Sequence, residues 1–247
     1  MKNMSNLYQS KVDVHTHTVA SGHAYSTLTE MVTMAASRGL EILGITEHGP
    51  AIPGSCLPIY YTNLHVVPRM ISGVRLLLGS EVNILDTRGT LDLDECTLDK
   101  LDLVIAGIHG RCWQGGTPAE DTQGMIAAIE NPRVHIISHP VDGTAAIDIE
   151  AVVLAARDAH TLLEVNNHSL APSRRIAAAR PGNMELLRQC KRHDVPVILG
   201  SDAHYAPQIA NYDRLWPLID EVDFPMELIL NHQPQAFVDY LSLGAVQ

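Results

Sequence analysis

Short apolar runs punctuate the chain, and most are apolar at consecutive rather than alternate positions. They are KVDVHTH, EILGITEH, RLLLGSEVNIL, LDLVIAGIH, VHIISHP, TLLEVNN and PVILGSDAH. A strand without a polar face is buried on both sides, so these seven runs predict a parallel sheet covered by helices. Between them lie stretches with apolar residues at helical spacing. Thr27 to Arg38 opens with Thr27 and Glu30 at capping-box spacing and stops at Gly39. Ala119 to Glu130 follows Pro118 and ends before Pro132, and Ile149 to Ala159, Asn183 to His193 and Gln208 to Glu221 complete the set. Short helices are also expected near Thr62 to Ser72 and after Pro225 and Gln233. Arg88 and Gly89 separate two alternating runs after the third strand, which predicts a small hairpin at the rim. Strand then helix, recurring along the chain, predicts a closed or nearly closed α/β barrel; a doubly wound open sheet shares the local pattern and is the rival.

Composition narrows the function classes. The 247 residues are 46% hydrophobic and 18% charged, which supplies a sizeable core and excludes a disordered chain. No linker or repeat interrupts the pattern, so residues 1–247 are expected to form one domain. A net charge of −11 argues against a wide basic footprint for nucleic acid, and few aromatic residues (2 Phe, 2 Trp, 7 Tyr) argue against base-stacking platforms. The start, MKNMSNLYQS, lacks the apolar stretch of a signal peptide, and no run of 18 apolar residues occurs. A cytoplasmic protein without membrane partners is expected. Cys56, Cys96, Cys112 and Cys190 show no close pairing and read as ordinary thiols. The sequence is compatible with a homo-oligomer and carries no motif that sets its order. What stands out is histidine, with 13 copies.

Those histidines gather at the ends of strands. His15 and His17 close the first run and, two residues apart, point to one side. His48 ends the second, Glu81 lies in the third, His109 ends the fourth and His139 the fifth. Asp202 and His204 end the seventh, and His23 follows the first strand in its loop. In parallel α/β folds the carboxyl ends of all strands face one rim, so these nine side chains are expected to form one cluster. At three to four protein ligands per ion, they would serve two or three ions. Imidazole with carboxylate suits zinc, manganese or iron, and the lack of Cys ligands argues against a closed structural zinc site. Three divalent ions against the two carboxylates would leave a cationic site suited to a small phosphorylated metabolite. His65, His160, His193 and His232 are expected to be solvated, His135 to start a strand at the opposite rim, and His168 to stand near the cavity. Arg111, and Arg174 with Arg175 after the sixth strand, are candidates to grip phosphate oxygens, or else a solvated basic face.

Taken together, DVHTHT, TEHG, SEVN, GIHG, ISHP and GSDAH resemble the polymerase and histidinol phosphatase (PHP) superfamily. VASGHAYSTL, RVHIISHP and the later VDFP look like its YcdX-type phosphatase branch. The resemblance runs from about residue 11 to the final helices. It implies a distorted (β/α)7 barrel with a trinuclear centre at the C-terminal rim of the strands, zinc first and manganese or iron as alternatives. It also implies hydrolysis of phosphate esters, and the ions make a metal-activated hydroxide attacking a small monoester the expected reaction. By motif, His15, His17, Glu81 and Asp202 would bind a first ion, with Glu81 bridging to a second held by His109 and His139. His23, His48 and His204 would bind the third. Glu81 and Asp202 would be catalytic as well as ligating. Two departures are visible. Glu47 stands where many relatives have Asp, a longer arm that would alter the orientation of His48. Gly110 stands where relatives often carry a polar residue, which leaves the group that protonates the leaving oxygen unassigned. The competing readings are a phosphodiesterase or 3′–5′ exonuclease, and a non-catalytic metal-binding protein.

Overall fold

The computed structural model describes residues 9–174 and 176–243. Its strands are β1 (Val12–Asp13), β2 (Ile42–His48), β3 (Met70–Ile71), β4 (Val74–Asn83), β5 (Leu103–Gly107), β6 (Ile136–Ile137), β7 (Leu162–Asn166) and β8 (Val197–Gly200). All seven apolar runs become parallel strands in the order β1-β2-β4-β5-β6-β7-β8; β3 is a short antiparallel addition to β4. The helices are α1 (Leu28–Ser37), α2 (Pro58–Thr62), α3 (Glu95–Leu98), α4 (Pro118–Ile129), α5 (Ile149–Ala159), α6 (Ala179–His193), α7 (Trp216–Val222) and α8 (Pro234–Tyr240). Strands and helices alternate around a nearly closed barrel, so the distorted (β/α)7 architecture holds and the open sheet does not. A single parallel bridge, Thr16 to Ala203, joins the first strand to the last. Asp13 reinforces that seam, accepting from the Ser201 hydroxyl and from the N–H groups of Ser201 and Ala210.

Both expected capping residues do their work. Thr27 and Glu30 form the complete capping box of α1, and Thr117 with Glu120 forms another on α4. Helix α6 begins earlier than expected, at Ala179, and takes in Pro181 within its first turn, where a missing N–H costs no intrahelical bond. The segment Gln208 to Glu221 is not one helix. A 3-10 turn at Ala206–Gln208 leads to Ala210 in the left-handed region, and α7 begins only at Trp216. The Ala210 N–H is committed to buried Asp13, so a tertiary hydrogen bond overrides the helical spacing. The stretch near 62–72 also departs from expectation, with a 3-10 turn at Leu64–Val66 and then β3. At the rim the Arg88–Gly89 turn stands, but the hairpin reduces to one antiparallel bridge between Ile84 and Leu91.

Side-chain alternation divides the interior into layers. Val12, Ile42, Leu77, Leu103, Ile105, Ile136, Leu162 and Ile198 form one buried cluster, and Phe237 and Leu241 at α8 cover it. Intervening residues such as Leu43, Leu76, Leu78, Val104, Leu163 and Leu199 pack in a second cluster with Met31, Val153 and Leu187 of the helices. Continuing the inward positions toward the strand ends gives Glu81 after Leu77 and Gly79, Glu164 after Leu162, and Asp202 after Ile198 and Gly200. On these three strands the inner layer thus changes from aliphatic to acidic toward the strand end.

Gly79 sits where β4 and β5 approach closely; a Cβ there would lie 1.9 Å from the Leu103 carbonyl oxygen. Gly79→Ala is expected to cost about 1–3 kcal/mol through forced backbone displacement, read as a thermal midpoint about 2–4 °C lower per kcal/mol. An unchanged midpoint would show that the two strands can move apart. The cysteines are all free, and burial pushes both the Cys56 and Cys190 thiols up to about 12. That agrees with their reading as ordinary thiols. Among the described residues, no helix is long and apolar enough to cross a membrane.

Candidate metal centre

The barrel brings all nine expected donors to one rim. His15, His17, His48, Glu81, His139 and Asp202 are buried, His109 and His204 partly so, and His23 stands exposed at the mouth. Three overlapping groups have donor atoms within 4.8 Å of one another: His15, His17 and Asp202; His48, Glu81 and His109; His17, His48 and His204. Glu81 is the hub. Its two oxygens lie 2.7 Å from His48 Nδ1, 2.8 Å from His139 Nε2, 3.4 Å from both His15 Nε2 and His109 Nε2, and 3.7 Å from His17 Nε2. Asp202 Oδ1 lies 3.2 Å from His17 Nε2 and 3.6 Å from His15 Nε2.

For four of the rings, the partner of the outward nitrogen shows which nitrogen is left for the cluster. His15 Nδ1 lies 2.6 Å from Glu164 Oε1. An ionised carboxylate only accepts, so that nitrogen donates and the Nε2 lone pair faces inward. His204 Nδ1 donates to the Asp202 carbonyl and His23 Nδ1 to the Ser21 carbonyl, each at 3.0 Å. For His17 the link is longer. Glu47 accepts the Ser21 hydroxyl proton, and Ser21 Oγ, 3.3 Å from His17 Nδ1, accepts from that ring. Glu47 also accepts from the Thr18 N–H and hydroxyl, and reaches His48 only through Ser21, which accepts the His48 backbone N–H. The long Glu47 arm therefore orients His17, not the His48 ring as its place in sequence suggested.

This donor set fits divalent cations. The Nε2 atoms of His15 and His17 are 3.1 Å apart, and those of His23 and His204 are 3.2 Å apart. Two lone pairs facing at that distance repel unless a cation or a proton lies with them. Glu81 Oε2 and Asp202 Oδ1 are buried and make no hydrogen bond, which is costly for a carboxylate that has no cation to face. Protons must fill that role when no metal does. Burial opposes charge on His15, yet Glu164, Glu81 and Asp202 overcome it and raise its pKa well above the ordinary value. Burial likewise disfavours the Glu81 anion, but His15, His109 and His48 hold its carboxyl well below the usual range. His17, buried beside other rings, is pushed far the other way by burial and by His48.

A cavity of about 680 Å³ opens above the cluster. His168 and Arg174 line it, as do Arg111 and the apolar pair Ile52 and Pro53. The His168 ring is 5.6 Å from that of His204, which places this histidine at the cavity as expected. Arg174 Nη2 is 3.0 Å from Asp142 Oδ2, a carboxylate buried beside His139. Arg175 lies outside the described residues. Of the remaining histidines, His65 and His160 are exposed; His193 pairs with Glu150 at 3.0 Å, and His232 lies against Trp216 at 6.3 Å between ring centres. Those last two are partly covered rather than solvated.

A model of the PHP domain matches residues 13–171. The chain belongs to the PHP family. Full-length relatives agree. A protein of Caldicellulosiruptor saccharolyticus named a probable phosphatase is 43% identical, over 94% of this chain and 96% of its own. Another so named, from Clostridium novyi, is 44% identical over 93% of each. Among solved structures, the histidinol phosphate phosphatase of Lactococcus lactis, complexed with zinc, L-histidinol and phosphate, superposes with a TM-score of 0.59. It covers 87% of this chain and 95% of its own at 18% identity, a likeness of fold. With that frame in place, the PHP chain shows what the strand-end reading lacked: Glu164, Asp13, Asn166 and Asp142 are all buried polar groups around the donors. Glu164 had a signal, a lone carboxylate inside the apolar run TLLEVNN.

Proposed function

We propose that this PHP protein is a single-domain, divalent-metal-dependent phosphatase of the cytoplasm that hydrolyses small phosphate monoesters. The observation that carries the reading is the convergence, at one end of the barrel, of seven histidines with two buried carboxylates that each keep one oxygen free of hydrogen bonds. The relatives named probable phosphatases supply the reaction class. His15, His17, Glu81 and Asp202 would hold a first ion, Glu81 with His109 and His139 a second, and His23, His48 and His204 a third. Zinc suits this mixture of imidazole and carboxylate best, with manganese and iron next. Divalent ions bound there supply Lewis acidity toward phosphoryl oxygens and acidify water.

The chain itself does the rest. Arg174, held by Asp142, and Arg111 line the cavity and present guanidinium donors to phosphate oxygens. Glu81 and Asp202 orient the attacking water through the oxygens that make no protein hydrogen bond. A cavity of about 680 Å³ suits a metabolite, and a chain of net charge −11 repels a long polyanion.

The deciding experiment compares matched aryl phosphate mono- and diesters with zinc- or manganese-loaded protein. Faster turnover of the monoester is expected, lost on adding EDTA. Preference for the diester would replace the monoesterase reading with a phosphodiesterase one. Turnover of neither ester, with metal bound, would favour a non-catalytic metal-binding protein.

A further inference from the structure

Glu164 makes more contacts with the donor set than any ligand function of its own requires. It is buried on β7, one oxygen 2.6 Å from His15 Nδ1 and the other 2.8 Å from the backbone N of His139 and 3.0 Å from Asn166 Nδ2. Asn166 Nδ2 in turn lies 3.4 Å from Asp202 Oδ2, and its Oδ1 is fixed by the Ser169 N–H and hydroxyl. One carboxylate thus reaches three donors on three different strands' ends. His139 and Asp202 both sit at positive φ, 30° and 52°, a backbone region uncommon for non-glycine residues although Asp and His enter it more readily than most. Glu164 holds His139 by its N–H and reaches Asp202 through Asn166.

The neighbouring strand is shaped around this carboxylate. Gly200 on β8 has no side chain, and a Cβ there would lie 1.6 Å from Glu164 Oε1. Any residue larger than glycine would displace the group that His15 Nδ1 needs.

We propose that Glu164 is the positioning residue of the metal centre: it sets the tautomer of His15 and holds the backbone of His139, so that both rings present Nε2 to an ion. The proposal rests on the metal-centre reading above. Glutamine cannot replace this carboxylate. With its oxygen toward His15, its NH2 group faces the His139 N–H and the Asn166 amide, donor against donor. With its oxygen toward those groups, its NH2 meets His15 Nδ1, which must then accept, and the proton moves to Nε2, removing the lone pair an ion would use.

The test measures zinc content and affinity by chelator competition for wild type, Glu164→Gln and Gly200→Ala, together with the thermal midpoint of each metal-free protein. Both variants are expected to lose zinc affinity by about 10- to 100-fold, the usual effect of removing a partner that orients a ligand. The loss should exceed anything mirrored in the metal-free midpoints, because a purely structural role would lower those and leave affinity intact. Should Glu164→Gln fail to fold, Gly200→Ala decides alone, since it keeps the carboxylate and only moves it. Wild-type affinity in the variants that fold overturns the proposal while the metal centre stands. A wild-type protein that takes up no zinc, manganese or iron overturns the metal reading and the proposal together.

Discussion

Glu81→Gln is expected to lower monoester turnover by about a thousandfold or more, the loss that follows when several kcal/mol of metal-borne stabilisation of the transition state is removed. The size follows from position. Five imidazoles lie within 3.7 Å of the Glu81 oxygens, and its Oε2 makes no hydrogen bond to compete with an ion. Glutamine keeps the volume and one acceptor but loses the charge and puts an NH2 group among ring nitrogens. Steady-state kinetics on an aryl phosphate, with circular dichroism to verify the fold, gives the answer. A folded variant with wild-type turnover would remove Glu81 from the machinery.

Stripping the metal should lower the thermal midpoint by about 10 °C and make it depend on pH in an unusual direction. A ligand held at about a thousand times its Kd adds about 4 kcal/mol to folding, and each kcal/mol moves the midpoint of a chain this size by about 2–4 °C. The pH dependence comes from the protons that replace the ions. Burial works against charge on His139, but its hydrogen bond to Glu81 and the Glu81 charge prevail and raise its pKa from 6.5 to about 9. His15 is raised in the same sense. A histidine whose folded pKa is raised contributes stability that is complete below the unfolded value near 6.5 and is lost as pH rises through the folded value. The metal-free protein should therefore melt progressively earlier between pH 6.5 and about 9. In that window the loaded protein should be nearly flat, because ions take the place of those protons. Calorimetry with and without EDTA reads both, and parallel slopes would show that the two histidines are not sites of metal uptake.

The parallel strands were legible because strands buried on both faces leave an unbroken apolar run, and all seven appear in the barrel. The cluster was legible for a related reason. Ionisable residues near the close of parallel strands share one rim, and the nine do meet there. What was hidden depends on contacts across long stretches of chain. Ala210 looked helical from its neighbours, and nothing local announces that its N–H belongs to Asp13, 197 residues earlier. Glu47 looked like a partner of adjacent His48, yet its oxygens turn toward Thr18 and Ser21. Glu164 carries the same local signal as Glu81, two residues before the end of its strand and inward in parity, and only its hydrogen bonds to His15 and His139 set its role apart.

The seam between the first and last strands bears on how the protein comes to be made. Asp13 is bonded to Ser201, 188 positions later, and Thr16 bridges Ala203. His15 and His17 are made well before Asp202 and His204, which complete two of the three donor groups. A growing chain thus carries imidazoles it cannot yet organise, and joining ends so far apart is the slow part of building such a topology. Loading of the proposed centre would accordingly wait on closure of the barrel.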